Sequence, residues 1–138
     1  MSEELKRRTK AYALRVMRLC DAIPDTPAGR VIRGQLLRAG TSVGANYRAA
    51  CRAPAGPSPL PGQVPCRAKS PADFIAKMGI VEEEADESLF WMELLVEGEL
   101  LPKERVTELM AEGDELVAIF VSSINTARAN NPKPQNRR

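Results

Sequence analysis

The placement of proline constrains this 138-residue chain more than any other feature. Outside a crowded central stretch and the C-terminal tail, proline occurs only at positions 24, 27, 71 and 102. Each of these sits between long runs of helical periodicity. Proline lacks an N–H and fixes φ, so it is tolerated in the first helical turn and breaks a helix elsewhere. Thr26-Pro27 and Ser70-Pro71 both read as an N-cap followed by the first helical residue, and Asp73 adds a carboxylate at the positive end of the helix dipole. The punctuation predicts helices over about 2–23, 26–52, 71–97 and 102–129. Gly98 is expected to end the third in the left-handed conformation. The polar, Pro-broken residues 130–138 are expected to be a disordered tail.

Short links join the first helix to the second and the third to the fourth, so these pairs should run antiparallel. The expected fold is therefore all-α, an antiparallel up-down four-helix bundle forming one domain over residues 1–129. The link from the second helix to the third departs from this pattern. Residues 53–66, APAGPSPLPGQVPC, hold five prolines and two glycines and fit neither a helix nor a central strand. Cys51-Arg52-Ala53 recurs as Cys66-Arg67-Ala68, and removing 52–66 would leave an ordinary interhelical turn. The stretch over 53–69 reads as a surface loop insertion.

At about 100° per residue, three helices each gather one apolar face. In the first it is Leu5, Tyr12, Val16, Leu19, Cys20 and Ile23; in the second Ile32, Leu36, Ala39, Val43, Tyr47 and Ala50. The fourth gathers Val106, Leu109, Met110, Leu116, Val117, Phe120, Ile124 and Ala127. The third helix is apolar on more than one side. Its core face is read as Phe74, Ile75, Met78, Ala85, Leu89, Met92 and Val96, while Ile80, Phe90, Trp91 and Leu94 fall elsewhere. A lone bundle has no evident place for this second set. The second helix also carries Gly40 and Gly44, small enough to admit a neighbouring helix. These six residues are the expected surface of a homo-oligomer, with packing under the chain's own loops as the alternative.

Chemistry is sparse. There is no histidine, which removes the commonest general base and zinc ligand. The acidic run Glu82-Glu83-Glu84, Asp86-Glu87 lacks the histidines of di-iron bundles and reads as a solvated face. No phosphate loop or zinc cysteine pair occurs, so no catalytic residue, metal or cofactor is expected and the chain is not read as an enzyme. Cys20, Cys51 and Cys66 read as free thiols, with a Cys51–Cys66 bridge as the alternative. With no apolar span or secretory leader, the expected address is the cytoplasm and no membrane partner is foreseen.

Charge is segregated. Residues 1–52 carry 11 Lys/Arg against 4 Asp/Glu, and residues 71–115 carry 3 against 14. Arg7, Arg8, Arg15 and Arg18 share an arc of the first helix. Arg30, Arg38, Arg48 and Arg52 lie opposite the core stripe of the second. If the two faces adjoin, they form a basic strip for RNA or DNA, because the planar guanidinium donates two hydrogen bonds to a phosphate. No base-reading element is present, so contact would follow backbone charge. Solvent exposure or pairing with the acidic half is the competing reading.

The run Leu37-Arg38-Ala39-Gly40-Thr41-Ser42-Val43-Gly44-Ala45-Asn46-Tyr47, with Ser70, Asp73–Lys77 and the helix through Glu83–Leu95, resembles the bacterial four-helix-bundle proteins called 23S rRNA intervening-sequence proteins. The resemblance covers about residues 5–128 apart from the Pro-rich insertion. It implies an up-down bundle assembling as a homopentameric ring. A related branch, the accessory variability determinant of diversity-generating retroelements, binds nucleic acid and a reverse transcriptase. The partners so implied are copies of the chain itself, RNA or DNA, and a reverse transcriptase or another protein. The functional expectation is a non-enzymatic scaffold binding nucleic acid or a nucleic-acid-associated protein; the alternative is a protein-interaction module without nucleic-acid contact. Asn46 matches the family run and borders the core stripe. Its amide is expected to bond a backbone carbonyl or an acidic residue of the third helix. Arg48 stands where the family often has an acidic residue.

Overall fold

The computed structural model describes residues 2–52 and 70–132; the Pro-rich stretch 53–69, with Cys66, and residues 133–138 lie outside the described residues. Four α-helices follow one another: α1 (Ser2–Asp21), α2 (Pro27–Ala50), α3 (Pro71–Glu97) and α4 (Thr107–Asn130), with a short 3-10 turn at Lys103–Arg105. The two Pro-based starts behave as capping chemistry requires. Thr26 Oγ1 accepts from Gly29 N at 3.0 Å, and Ser70 Oγ accepts from Asp73 N at 3.1 Å, each satisfying a donor the first helical turn leaves open.

Two boundaries differ from the reading of the sequence. Gly98 is not left-handed (φ −80°); that conformation falls on Glu99 (φ 57°), after which Leu100 N bonds Leu95 O at 2.9 Å. The chain reverses one residue later than glycine would suggest because Gly98 N still bonds Leu94 O at 2.8 Å and so completes the last turn. Pro102 does not open the fourth helix. It precedes the 3-10 turn, and α4 begins at Thr107.

The helices form a square in which α1 meets α2, α2 meets α3, α3 meets α4, and α4 meets α1 along the sparsest seam. α1 and α3 are thus diagonal. The core is aliphatic with a few large rings: Leu36, Val16, Val43, Leu116, Met78 and Met92 around Tyr12, Tyr47 and Phe120. Tyr47 and Phe120 pack with ring centroids 6.0 Å apart. Tyr12 reaches across the diagonal to Ser88, whose hydroxyl stands 2.7 Å from the phenol oxygen. Ser88 in turn donates to Ala85 O at 2.6 Å, so the phenol donates to the serine and both buried polar groups are satisfied. Burial pushes the Tyr12 hydroxyl up to about 12.

On α3 the buried set is Met78, Val81, Ala85, Ser88, Leu89, Met92 and Leu95. Phe74, Ile75 and Val96, read from the sequence as core, only flank it. The stripe is rotated toward Val81 and Leu95, with Ser88 able to occupy its middle because Tyr12 supplies a partner.

The glycines of α2 serve the bundle itself. A Cβ on Gly40 would stand 2.7 Å from both Cγ atoms of Val16, and one on Gly44 would stand 3.3 Å from the Thr9 carbonyl. Both are buried against α1 of the same chain, which corrects their assignment to a subunit surface. Gly34 differs, with nothing within 4 Å of its added Cβ. Gly40→Val should therefore cost about 1–3 kcal/mol through overpacking. Gly34→Ala should gain up to ~1 kcal/mol from helix propensity. Urea melts of the two variants check the pair; equal effects of the same sign would contradict the assigned packing.

Candidate functional surfaces: arginine groups and an exposed apolar row

The basic residues separate into engaged and unengaged groups. Arg8 on α1 holds Glu112 and Glu115 of α4 across the α1–α4 seam, and Glu112 is the first cause of a guanidinium pKa raised above its ordinary value. Arg38 on α2 bridges to α3, with Nη1 3.2 Å from Glu84 and Nη2 2.6 Å from Glu87. Arg30 pairs with Asp25 at 3.3 Å. Arg7, Arg15, Arg18, Arg48 and Arg52 lie in no salt bridge among the described residues.

The two arginine arcs do not adjoin. On the helical wheel Arg8 and Arg15 turn to the α4 side of α1, whereas Arg38 leans over α3 from the far side of α2. Between them lie exposed Leu14, Met17 and Leu37. One basic strip across α1 and α2 is therefore not formed, because the core stripes turn the two arcs in different directions.

What forms instead is a local group. Arg15 and Arg18 of α1 share a shallow cavity of about 210 Å³ with Arg105, Glu104 and Glu108. Leu19 and Leu109 supply its apolar part. None of the three guanidinium groups is within salt-bridge distance of either glutamate. They keep free donors for an incoming anion. Arg105 escaped the sequence reading because it lies in the acidic half; only the adjacency of α1 and α4 places it here.

The apolar set on α3 divides by depth. Ile80 is 45% exposed and Phe90 49% exposed, while Trp91 and Leu94 are half-buried and lean on the core. Phe90 and Trp91 stack edge to face at 5.1 Å. Trp91 Nε1 donates to Glu87 Oε1 at 3.3 Å, so the indole is tied to the Arg38–Glu87 pair. Covering side chains of this size is worth roughly 1.5–3 kcal/mol each. The sequence reading missed a second exposed group, Leu14, Met17, Val31 and Leu37 on α1 and α2. The same wheel that found the core would have shown these off it.

Asn46 is half-buried and donates from Nδ2 to Ser42 O at 2.9 Å, a backbone carbonyl of its own helix. Cys20 is a buried free thiol and Cys51 a half-buried one; burial pushes Cys20 up to about 11. Among the described residues no group of three or more His, Cys, Asp or Glu side chains could hold a metal ion, and no helix is long and apolar enough to cross a membrane.

The Arg38 hydrogen bond, followed by that from Trp91, holds the Glu87 carboxyl below the usual carboxylate range against the opposing effect of burial. A carboxyl depressed in the folded state adds stability above its unfolded pKa of about 4.3 and loses it as pH falls through the folded value. Trp91 is the sole tryptophan, so its emission should titrate with Glu87. Arg38→Ala should move that midpoint upward. An unmoved midpoint would contradict the network.

No protein-family model matches the chain, and no curated protein does. Among solved structures it is similar to a protein of unknown function from the S23 ribosomal protein family of Bacteroides thetaiotaomicron. Identity is 30%, the TM-score is 0.70, and the match covers 86% of this chain and 96% of the other.

Proposed function

The chain belongs to the S23 ribosomal protein family, and we propose that it is a non-enzymatic helical scaffold, a relative of the 23S rRNA intervening-sequence proteins that acts in the cytoplasm. Copies associate through the outer face of α3 and present arginines to the phosphate backbone of RNA or DNA. The observation that carries this reading is the row formed by Ile80, Phe90 and the outer parts of Trp91 and Leu94, apolar surface that the chain's own described helices leave open.

For nucleic acid, the group formed by Arg15, Arg18 and Arg105 is better supplied than the wider set read from the sequence, since Arg8, Arg30 and Arg38 already hold carboxylates. Repetition of that group around an assembly would multiply an attraction that is weak in one copy. The pairing of those three other arginines also favours a second reading, a module for a protein partner such as a reverse transcriptase with no nucleic-acid contact.

Binding of mixed-sequence RNA and DNA across a salt series separates the two. The scaffold reading expects affinity that falls linearly on a log–log plot. Arg15→Ala with Arg18→Ala and Arg105→Ala should then lower the slope by roughly 0.7–0.9 for each phosphate that is no longer neutralised. No binding at low salt, or binding indifferent to salt, would leave the protein-module reading in its place.

A further inference from the structure

We propose that the cavity at the α1–α4 seam holds the 3′-terminal nucleotide of an RNA, with its phosphate on the arginines and its ribose cis-diol on the two glutamates. This rests on the phosphate reading above and adds which part of a nucleic acid the site recognises.

The cavity exists because the seam fails to close there. Further back along α1, Arg8 is held by Glu112 and Glu115 of α4. The two helices run antiparallel, so two turns on from Arg8 the same register sets Arg15 against positions 105 and 108. Position 108 is again a glutamate, but position 105 is an arginine. A like charge thus stands where Arg8 has its principal partner, and Arg18 adds another one turn later. No ion pair joins the helices at this level. Three guanidinium groups around about 210 Å³ repel one another, and an entering phosphate relieves that repulsion while accepting from their planar forks.

The carboxylates decide which phosphate enters. Glu104 and Glu108 line the same cavity as the arginines. Beside an uninterrupted backbone they would repel the flanking phosphates. A carboxylate only accepts hydrogen bonds, so the ligand must bring donors to it. The 3′ end of RNA supplies both requirements within one nucleotide. It has a phosphodiester on its 5′ side, and two vicinal hydroxyls where the next phosphate would otherwise be. An internal nucleotide offers only its 2′-OH between two phosphates, and a DNA end lacks that group.

Size agrees with this. The volume lies below the roughly 300–1,000 Å³ of sites for larger ligands, and suits one sugar with its phosphate. Leu19 and Leu109 give the sugar carbons an apolar floor. The described residues lining the cavity include no aromatic ring on which a base could stack, so preference should follow the end and not the sequence.

Fluorescence anisotropy with one short 5′-labelled RNA sequence, compared with its 3′-phosphorylated form, an internally labelled circular form and the matching DNA, tests this. The diol-ended RNA should bind about tenfold more tightly than the other three, the effect of one charge-assisted hydrogen bond. Glu104→Gln with Glu108→Gln should erase that preference and strengthen binding of the circular form. Both positions are exposed, so circular dichroism should show the variant folded. Equal affinity for all four forms, or a preference that survives the double substitution, would overturn end recognition while leaving arginine-dependent backbone binding in place. Binding of no form, or binding indifferent to loss of Arg15, Arg18 and Arg105, would remove both.

Discussion

A four-helix bundle can enclose about one side of each helix, and α3 carries apolar side chains on more than one. This mismatch governs the surface of the molecule. The enclosed side, from Met78 through Val81, Ala85, Leu89 and Met92 to Leu95, is completed by Ser88, which is admitted to the core only because Tyr12 reaches across to it. Gly113 on α4 makes room at the same point, since a Cβ there would stand 2.9 Å from the Tyr12 hydroxyl oxygen. Three helices are thereby fixed around one phenol. Ile80 and Phe90 are turned outward by the same packing that buries the rest.

Charge follows a similar division. The basic first half and acidic second half neutralise each other wherever the square brings their helices together: α1 with α4 through Arg8, and α2 with α3 through Arg38. The exposed Arg38 pairs contribute little to stability, whereas the Arg8–Glu112 pair is part-buried. Their effect is to decide which charges are left over. Among those that remain are Arg7 and Lys10 on α1, Arg48 and Arg52 on α2, Glu83, Asp86, Glu93 and Glu97 on α3, and the group formed by Arg15, Arg18 and Arg105, which is the surface proposed for phosphate.

Much of the architecture was legible in the sequence because proline and its caps are local signals. Thr26-Pro27 and Ser70-Pro71 start helices where a side-chain oxygen and a missing N–H require it, and the α3 bounds at Pro71 and Glu97 needed no tertiary information. The end of α3 was harder. Whether Gly98 or Glu99 takes the left-handed conformation depends on how many residues the last turn retains, which glycine alone does not specify. Gly40 and Gly44 were legible as sites of close approach, but not as to which helix approaches. α1 of the same chain fills them. The candidate site was legible only in part for the same reason: Arg15 and Arg18 could be placed on one arc, whereas Arg105 joins them through the α1–α4 seam and lies 87 residues further along the chain than Arg18.

Another copy of this chain is the proposed cover for the outward face of α3 in solution, and repetition of the arginine group around an assembly depends on it. Sedimentation equilibrium of the unmodified protein at micromolar concentration tests this most directly. The expected result is a mass several times the 15.1 kDa of one chain. A single species at 15.1 kDa, with Ile80 and Phe90 open to water as they are in the isolated bundle, would contradict it.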